Sequence, residues 1–164
     1  MVSLLKKVAR YYEKLNIERI KRARYLTSKQ LIRSFSEGHK VIFLDETSIH
    51  LGVKPFYAWV KGKKISIPVQ NKSKNYSIVT AIIPSKILGC QIIKGGVKQH
   101  DFLCFVSNLV KYYKLESCSK KVIIFLDNAR VHHSKFVQES LTGQVTFLFN
   151  AGYSPMLNPI EEFF

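Results

Sequence analysis

Five consecutive apolar residues, Val122 to Leu126, stand between Lys121 and Asp127, and nothing else in the chain limits the fold so tightly. An apolar run this short, without alternation and ending on a charge, predicts a central strand over Lys121 to Asp127 that is buried on both faces. Such a strand needs a sheet with cover on each side. Val41 to Leu44, leading straight into Asp45 and Glu46, reads as a second buried strand. Tyr76 to Ile83 and Ile87 to Ile93 read as an antiparallel pair turning around Pro84 and Ser85, with Gly95 and Gly96 closing the second strand. Tyr57 to Val60, followed by Lys61 and Gly62, reads as a further strand and turn. Within Asp101 to Tyr113, one helical stripe holds Phe102, Phe105, Leu109 and Tyr112 or Tyr113, which predicts an amphipathic helix packed on the sheet. Ser134 to Leu141 reads as a short helix and Val145 to Phe149 as another strand. A meander followed by strands alternating with helices predicts an α/β fold with a sheet of mixed direction.

At 164 residues the chain suits one domain with a single core. Hydrophobic residues make up 46% and charged residues 23%, ordinary values that exclude disorder and fibrous repeats. The formal net charge of +15 is the outlier, and it points to a polyanionic partner, most commonly nucleic acid. Membrane surfaces and acidic proteins stay open as partners. Much of the excess lies before residue 40, in Lys6, Lys7, Arg10, Lys14, Arg19, Lys21, Arg22, Arg24, Lys29 and Arg33. Leu5, Val8, Tyr12 and Leu15 recur there at helical spacing, so one or two basic amphipathic helices are expected, ending at Gly38 and His39. Their basic side is either a solvated face or a DNA-contacting surface. No apolar stretch approaches the roughly 20 residues of a membrane helix, and Lys6 and Lys7 leave no apolar region for a secretory signal. An intracellular protein is expected. Cys90, Cys104 and Cys118 are odd in number and far apart, which predicts reduced, mostly buried thiols rather than disulfides or paired zinc ligands.

Functional residues of α/β sheets gather outside the carboxyl ends of strands, and two carboxylates, Asp45 and Asp127, follow apolar runs there. If the two strands are neighbours, the acids lie side by side and repel unless they share a cation or one is protonated. Oxygen ligands of this kind suit Mg²⁺ or Mn²⁺. Each acid also has a plainer reading: Asp127 with Asn128 can form an Asx turn. A third acid, Glu161, follows Asn158, Pro159 and Ile160, where Asn158 as N-cap and Pro159 as first helical residue would make a helix start with Glu161 in a capping-box position.

The ordered set Phe43-Leu44-Asp45-Glu46-Thr47, Tyr57-Ala58-Trp59-Val60-Lys61-Gly62, Leu126-Asp127-Asn128-Ala129 with His132, and Tyr153-Ser154-Pro155 with Leu157-Asn158-Pro159-Ile160-Glu161 resembles the DDE catalytic domain of the mariner-type transposase superfamily. The resemblance spans Lys40 to Phe164, and the Ser-Pro-x-Leu-Asn-Pro-Ile-Glu string is its most specific part. It implies an RNase H-like fold in which Asp45, Asp127 and Glu161 are catalytic and hold two Mg²⁺ or Mn²⁺ ions, with Glu162 as the register alternative for the third ligand. It implies DNA strand cleavage and strand transfer on transposon ends and target DNA, a homodimer that brings two ends together, and a nuclear location in a eukaryotic host. His132 matches a histidine that often follows the second Asp in this superfamily, as local support, as a DNA contact or as a plain surface residue. Residues 1–39 would be a basic linker or remnant of a DNA-binding region, and 40–164 a catalytic domain truncated near Glu161. The alternative is an inactive, domesticated or truncated DNA-binding derivative. The chain has no Gly-rich phosphate loop ending in Gly-Lys-Ser/Thr, no Gly-x-Ser-x-Gly elbow and no His-Glu-x-x-His pair, so other phosphate, acyl and zinc chemistries lack their motifs.

Overall fold

The computed structural model describes residues 17–50, 75–116, 121–129, 132 and 134–164, with side chains of the second helix described as far as residue 112. The strand expected at Tyr57 to Val60, the helical spacing of Leu5 to Leu15, and Cys118 lie outside these residues. Helix α1 (Glu18–Ser36) leads into strand β1 (Lys40–His50), then β2 (Asn75–Ile83), β3 (Lys86–Lys94), helix α2 (Gln99–Glu116), β4 (Val122–Leu126), helix α3 (Lys135–Ser140) and β5 (Thr146–Phe149). Two 3₁₀ turns, Pro155–Leu157 and Pro159–Glu162, follow. The strands form one sheet in the order β3-β2-β1-β4-β5. β1 pairs antiparallel with β2 and parallel with β4, and β4 pairs parallel with β5, so the sheet has the mixed direction expected.

Local chemistry explains the punctuation. α1 stops where Gly38 takes a left-handed φ of 71°, with His39 N–H donating to the Ser34 carbonyl at 2.9 Å. The β2–β3 hairpin turns through Pro84 and Ser85 and carries a register irregularity between Ala81 and Ile82.

β4 is buried at all five positions, and its alternating residues feed two cores. Val122, Ile124 and Leu126 join Ile42 and Leu44 of β1 beneath Phe102, Phe105, Val106, Leu109 and Val110 of α2 and Val137 of α3. Ile123 and Phe125 join Val41 and Phe43 on the opposite face, covered by Leu31 of α1 and by Ile160 and Leu157 of the terminal turns. On that face Phe43 and Phe125 meet edge to face, ring centroids 5.6 Å apart.

Among the described side chains of α2 the last buried one is Val110; Tyr112 is exposed, and the alternative Tyr113 lies outside the described side chains. α1 buries Thr27 and Ser34, while Tyr25, Leu26 and Ile32 face outward. Among the described residues no helix is long and apolar enough to cross a membrane.

Because Ile124 is fully buried in the core beneath α2, Ile124→Ala should lower the unfolding free energy by about 2 to 5 kcal/mol. Ile92→Ala, at a position 67% exposed on the edge strand, should change it by less than about 0.5 kcal/mol. Urea unfolding of the two variants measures the contrast.

Candidate functional site

The parallel ladder between β1 and β4 ends at Phe43 opposite Phe125. Carried two residues further, that register sets Asp45 level with Asp127. Asp45 does not end its strand, as its place after the apolar run suggested. β1 continues to His50 because residues beyond Asp45 still find backbone partners in β2, where Asp45 itself faces Thr80. Apolarity stops at Leu44 while hydrogen bonding does not, so pattern and ladder end at different residues.

Asp45 is buried, and its carboxyl pKa is pushed up to about 6. Burial is the main cause; the Glu46 N–H, 2.8 Å away, opposes it, and the charges of Glu161, Asp127 and Glu46 add to it. Asp127 lies just past β4 with its side chain half exposed. Its Oδ1 accepts from the Ala129 N–H at 3.1 Å, the Asx turn anticipated at this position. Glu161 is presented by the second 3₁₀ turn, which is anchored from below by the fully buried Ile160.

Asp127 and Glu161 line one cleft of about 510 Å³, together with Asn128, Asn150 and the segment through Tyr153 and Ser154. Glu162 is exposed and outside that lining; Asp45, buried in β1, is also outside it. Among the described residues no three His, Cys, Asp or Glu side chains converge closely enough to hold one metal ion. The donor set is nonetheless all carboxylate oxygen, the chemistry that hard divalent ions take. Besides burial, the charges of Glu161, Asp127 and Glu46 disfavour the ionised form of Asp45.

His132 is 2% exposed, which corrects its reading as a surface histidine. Its Nδ1 lies 3.0 Å from Asp127 Oδ1 and its Nε2 lies 3.2 Å from Glu46 Oε1, and its ring centroid is 4.6 Å from that of Phe102 in α2. Burial pulls the imidazole pKa down, but the hydrogen bonds to Asp127 and Glu46 and their charges outweigh it, raising the pKa to about 9. Glu46 had no assigned place before the structure. The one available signal was its position directly after Asp45 in a strand, which turns it to the opposite face.

The loop after β5 is tied to β4 by the Asn150 N–H, which donates to the Leu126 carbonyl at 2.8 Å. Asn150 Nδ2 in turn donates to the Ser154 carbonyl at 2.8 Å, bridging a loop in which Tyr153 holds a positive φ of 53°. Arg24 of α1 donates from Nε to Ser154 Oγ at 3.1 Å. The expected Asn158 cap is not made through its side chain. Asn158 is buried, its Nδ2 and Oδ1 lack partners, and the Glu161 N–H bonds instead to the Asn158 main-chain carbonyl at 3.1 Å. Cys90 and Cys104 are free thiols but exposed, not buried, because one lies on the edge strand and the other on the outer side of α2.

Residues 40–164 match the family model described as DDE superfamily endonuclease. Among solved structures, a pre-cleavage Mos1 transpososome superimposes with a TM-score of 0.71 and 20% identity over 96% of this chain and 51% of that one. The Mos1 mariner paired-end complex with Mn gives 0.68 and 22% over 96% and 50%, and the catalytic domain of Mos1 mariner transposase gives 0.64 and 21% over 89% and 68%. The chain thus has the fold of that domain, an RNase H-like mixed sheet flanked by helices, and spans about half the length of the Mos1 chains in the complexes. No curated protein matches the sequence significantly.

A buried histidine between two carboxylates has a measurable stability signature. His132→Ala should lower the unfolding free energy by about 2 to 4 kcal/mol in denaturant titrations, where a surface histidine would cost less than about 0.5 kcal/mol.

Proposed function

The chain belongs to the DDE superfamily endonuclease family, and from that premise we propose that it is the catalytic domain of a mariner-type transposase that cuts DNA at transposon ends and joins those ends to target DNA. What supports this reading is that the β1–β4 register sets Asp45 level with Asp127, that Glu161 lines the same cleft as Asp127, and that the charges of both raise the pKa of Asp45. In this reading the three carboxylates hold two Mg²⁺ or Mn²⁺ ions, in keeping with the Mos1 complex that contains Mn. Two such ions, when bound, stabilise the attacking and leaving oxygens of an in-line displacement at phosphorus.

The chain's own part is to place the ligands and to receive the nucleic acid. Asp45 is held within the β1–β2 ladder, opposite Thr80, whereas Asp127 and Glu161 sit on turns at the cleft. Arg19, Lys21, Arg22, Lys29 and Arg33 are exposed on α1, and with the overall +15 charge they would neutralise phosphates, so residues 1–39 serve as a basic extension of the catalytic domain at 40–164. Joining two transposon ends calls for two such domains, hence a homodimer acting on DNA inside the cell.

A second reading, a non-catalytic DNA-binding derivative, is favoured by one observation: the acids do not close on a common point. Calorimetric titration with Mn²⁺ separates the two. The wild-type chain should bind Mn²⁺, Asp45→Asn and Asp127→Asn should each abolish that binding and any Mn²⁺-dependent nicking of plasmid DNA, and retention of both properties would refute the ligand assignment. Glu161→Gln should likewise lose them, whereas Glu162→Gln should keep them. A wild-type protein that binds DNA with strong salt dependence but takes up no Mn²⁺ is the DNA-binding derivative instead.

A further inference from the structure

We propose that Glu46 is a positioning residue for Asp127, acting through His132. The inference rests on the reading of Asp127 as a metal ligand and adds a residue to which that reading gives no role.

Successive residues of a strand point to opposite faces, so β1 delivers Asp45 and Glu46 to different sides of the sheet. Asp45 follows Val41 and Phe43 in the alternation, on the face covered by Ile160 and α1. Glu46 follows Ile42 and Leu44, on the face covered by α2. There Glu46 Oε1 meets His132 Nε2 at 3.2 Å, and the other ring nitrogen, Nδ1, meets Asp127 Oδ1 at 3.0 Å. Both nitrogens face carboxyl oxygens, so with both acids ionised each nitrogen donates and the ring bridges the two side chains. The ring cannot turn away, because it is 2% exposed and backed by Phe102, itself fully buried.

The chain Glu46–His132–Asp127 therefore runs behind the cleft and grips Asp127 by Oδ1, the oxygen that also takes the Ala129 N–H. Asp127 has left the β4 ladder and is half exposed, so strand geometry does not hold its carboxylate. Glu46 fixes the ring orientation, the ring fixes the carboxylate, and the metal-facing edge of Asp127 is preset from a residue on the far face of the sheet. Partners of this kind, one step removed from the ligand, typically affect metal affinity by about 10- to 100-fold.

The full chain tests this with Glu46→Ala, which removes the acceptor, and Glu46→Gln, which keeps an Oε1 acceptor. Each is followed by Mn²⁺ calorimetry, by the Mn²⁺ electron paramagnetic resonance line shape, and by unfolding midpoint as a check on folding. Glu46→Ala should weaken Mn²⁺ binding about 10- to 100-fold and broaden the line shape, and Glu46→Gln should stay within a few-fold of wild type. Two results overturn the proposal: wild-type Mn²⁺ affinity in both variants with only the midpoint shifted, which is a structural ion pair, or equal loss in both, which makes Glu46 a ligand. If Glu46→Ala does not fold, Glu46→Met, close in size and lacking the acceptor, takes its place.

Should Asp127→Asn leave Mn²⁺ binding intact, the metal reading fails, and the linkage is judged without metal. In metal-free protein, nitrogen-15 spectra should show both ring N–H groups of His132 in hydrogen bonds, with the Nε2–H signal lost in Glu46→Ala. An unchanged Nε2–H signal in that variant would overturn the linkage itself.

Discussion

The parallel pairing of β1 with β4 is the constraint on which the site depends. Only Lys40 to Phe43 take part, against Val122 to Phe125, yet those rungs set the height of everything beyond them. They bring two apolar runs together at the centre of the sheet, where both faces can be covered, and they leave the two aspartates at the same level just past the last rung. Shifting β4 by one residue would reverse its inward and outward sets and would also separate the acids, so core packing and carboxylate placement select the same register. The stability of the domain and the geometry of its cleft are therefore not independent quantities.

Burying an acid beside like charges carries a cost: burial first, and then the charges of Glu161, Asp127 and Glu46, raise the pKa of Asp45. The fold answers it on one face with a buried cation, His132, between Asp127 and Glu46. On the other face, Asp45 meets the charges of Glu161, Asp127 and Glu46, all of which raise its pKa. The imbalance between the two faces gives the cleft its polarity: one carboxylate arrives already neutralised from behind, and another is left buried with its charge opposed by its neighbours.

Much of this was legible in the chain. The unbroken apolar run of β4, the hairpin around Pro84 and Ser85, and the stripe of Phe102, Phe105 and Leu109 carry their structure in local pattern, because burial on a strand or helix face imposes a period. The positions of Asp45 and Asp127 followed from the same runs. What stayed hidden depends on distant partners. The extension of β1 to His50 is set by β2, whose ladder does not require apolar side chains. The burial of His132 is set by Phe102 and Glu46, remote in sequence. The exposure of Cys90 follows from β3 being an edge strand, a fact of strand order that no local pattern contains. Asn158 looked like a cap because its neighbours suit one, but its side chain is enclosed beneath the turn instead.

The hydrogen bond from Arg24 to Ser154 crosses a line that sequence similarity draws at Lys40. A helix outside the family-matched segment thereby grips the loop that leads to Glu161, and Leu31 of the same helix packs in the core beneath Ile160. Evolutionary and mechanical boundaries need not coincide, and here they differ by a whole helix. Through that hydrogen bond and that packing contact, α1 shares its position with the loop and the turn that carry Glu161, so the two cannot shift independently without breaking one of them.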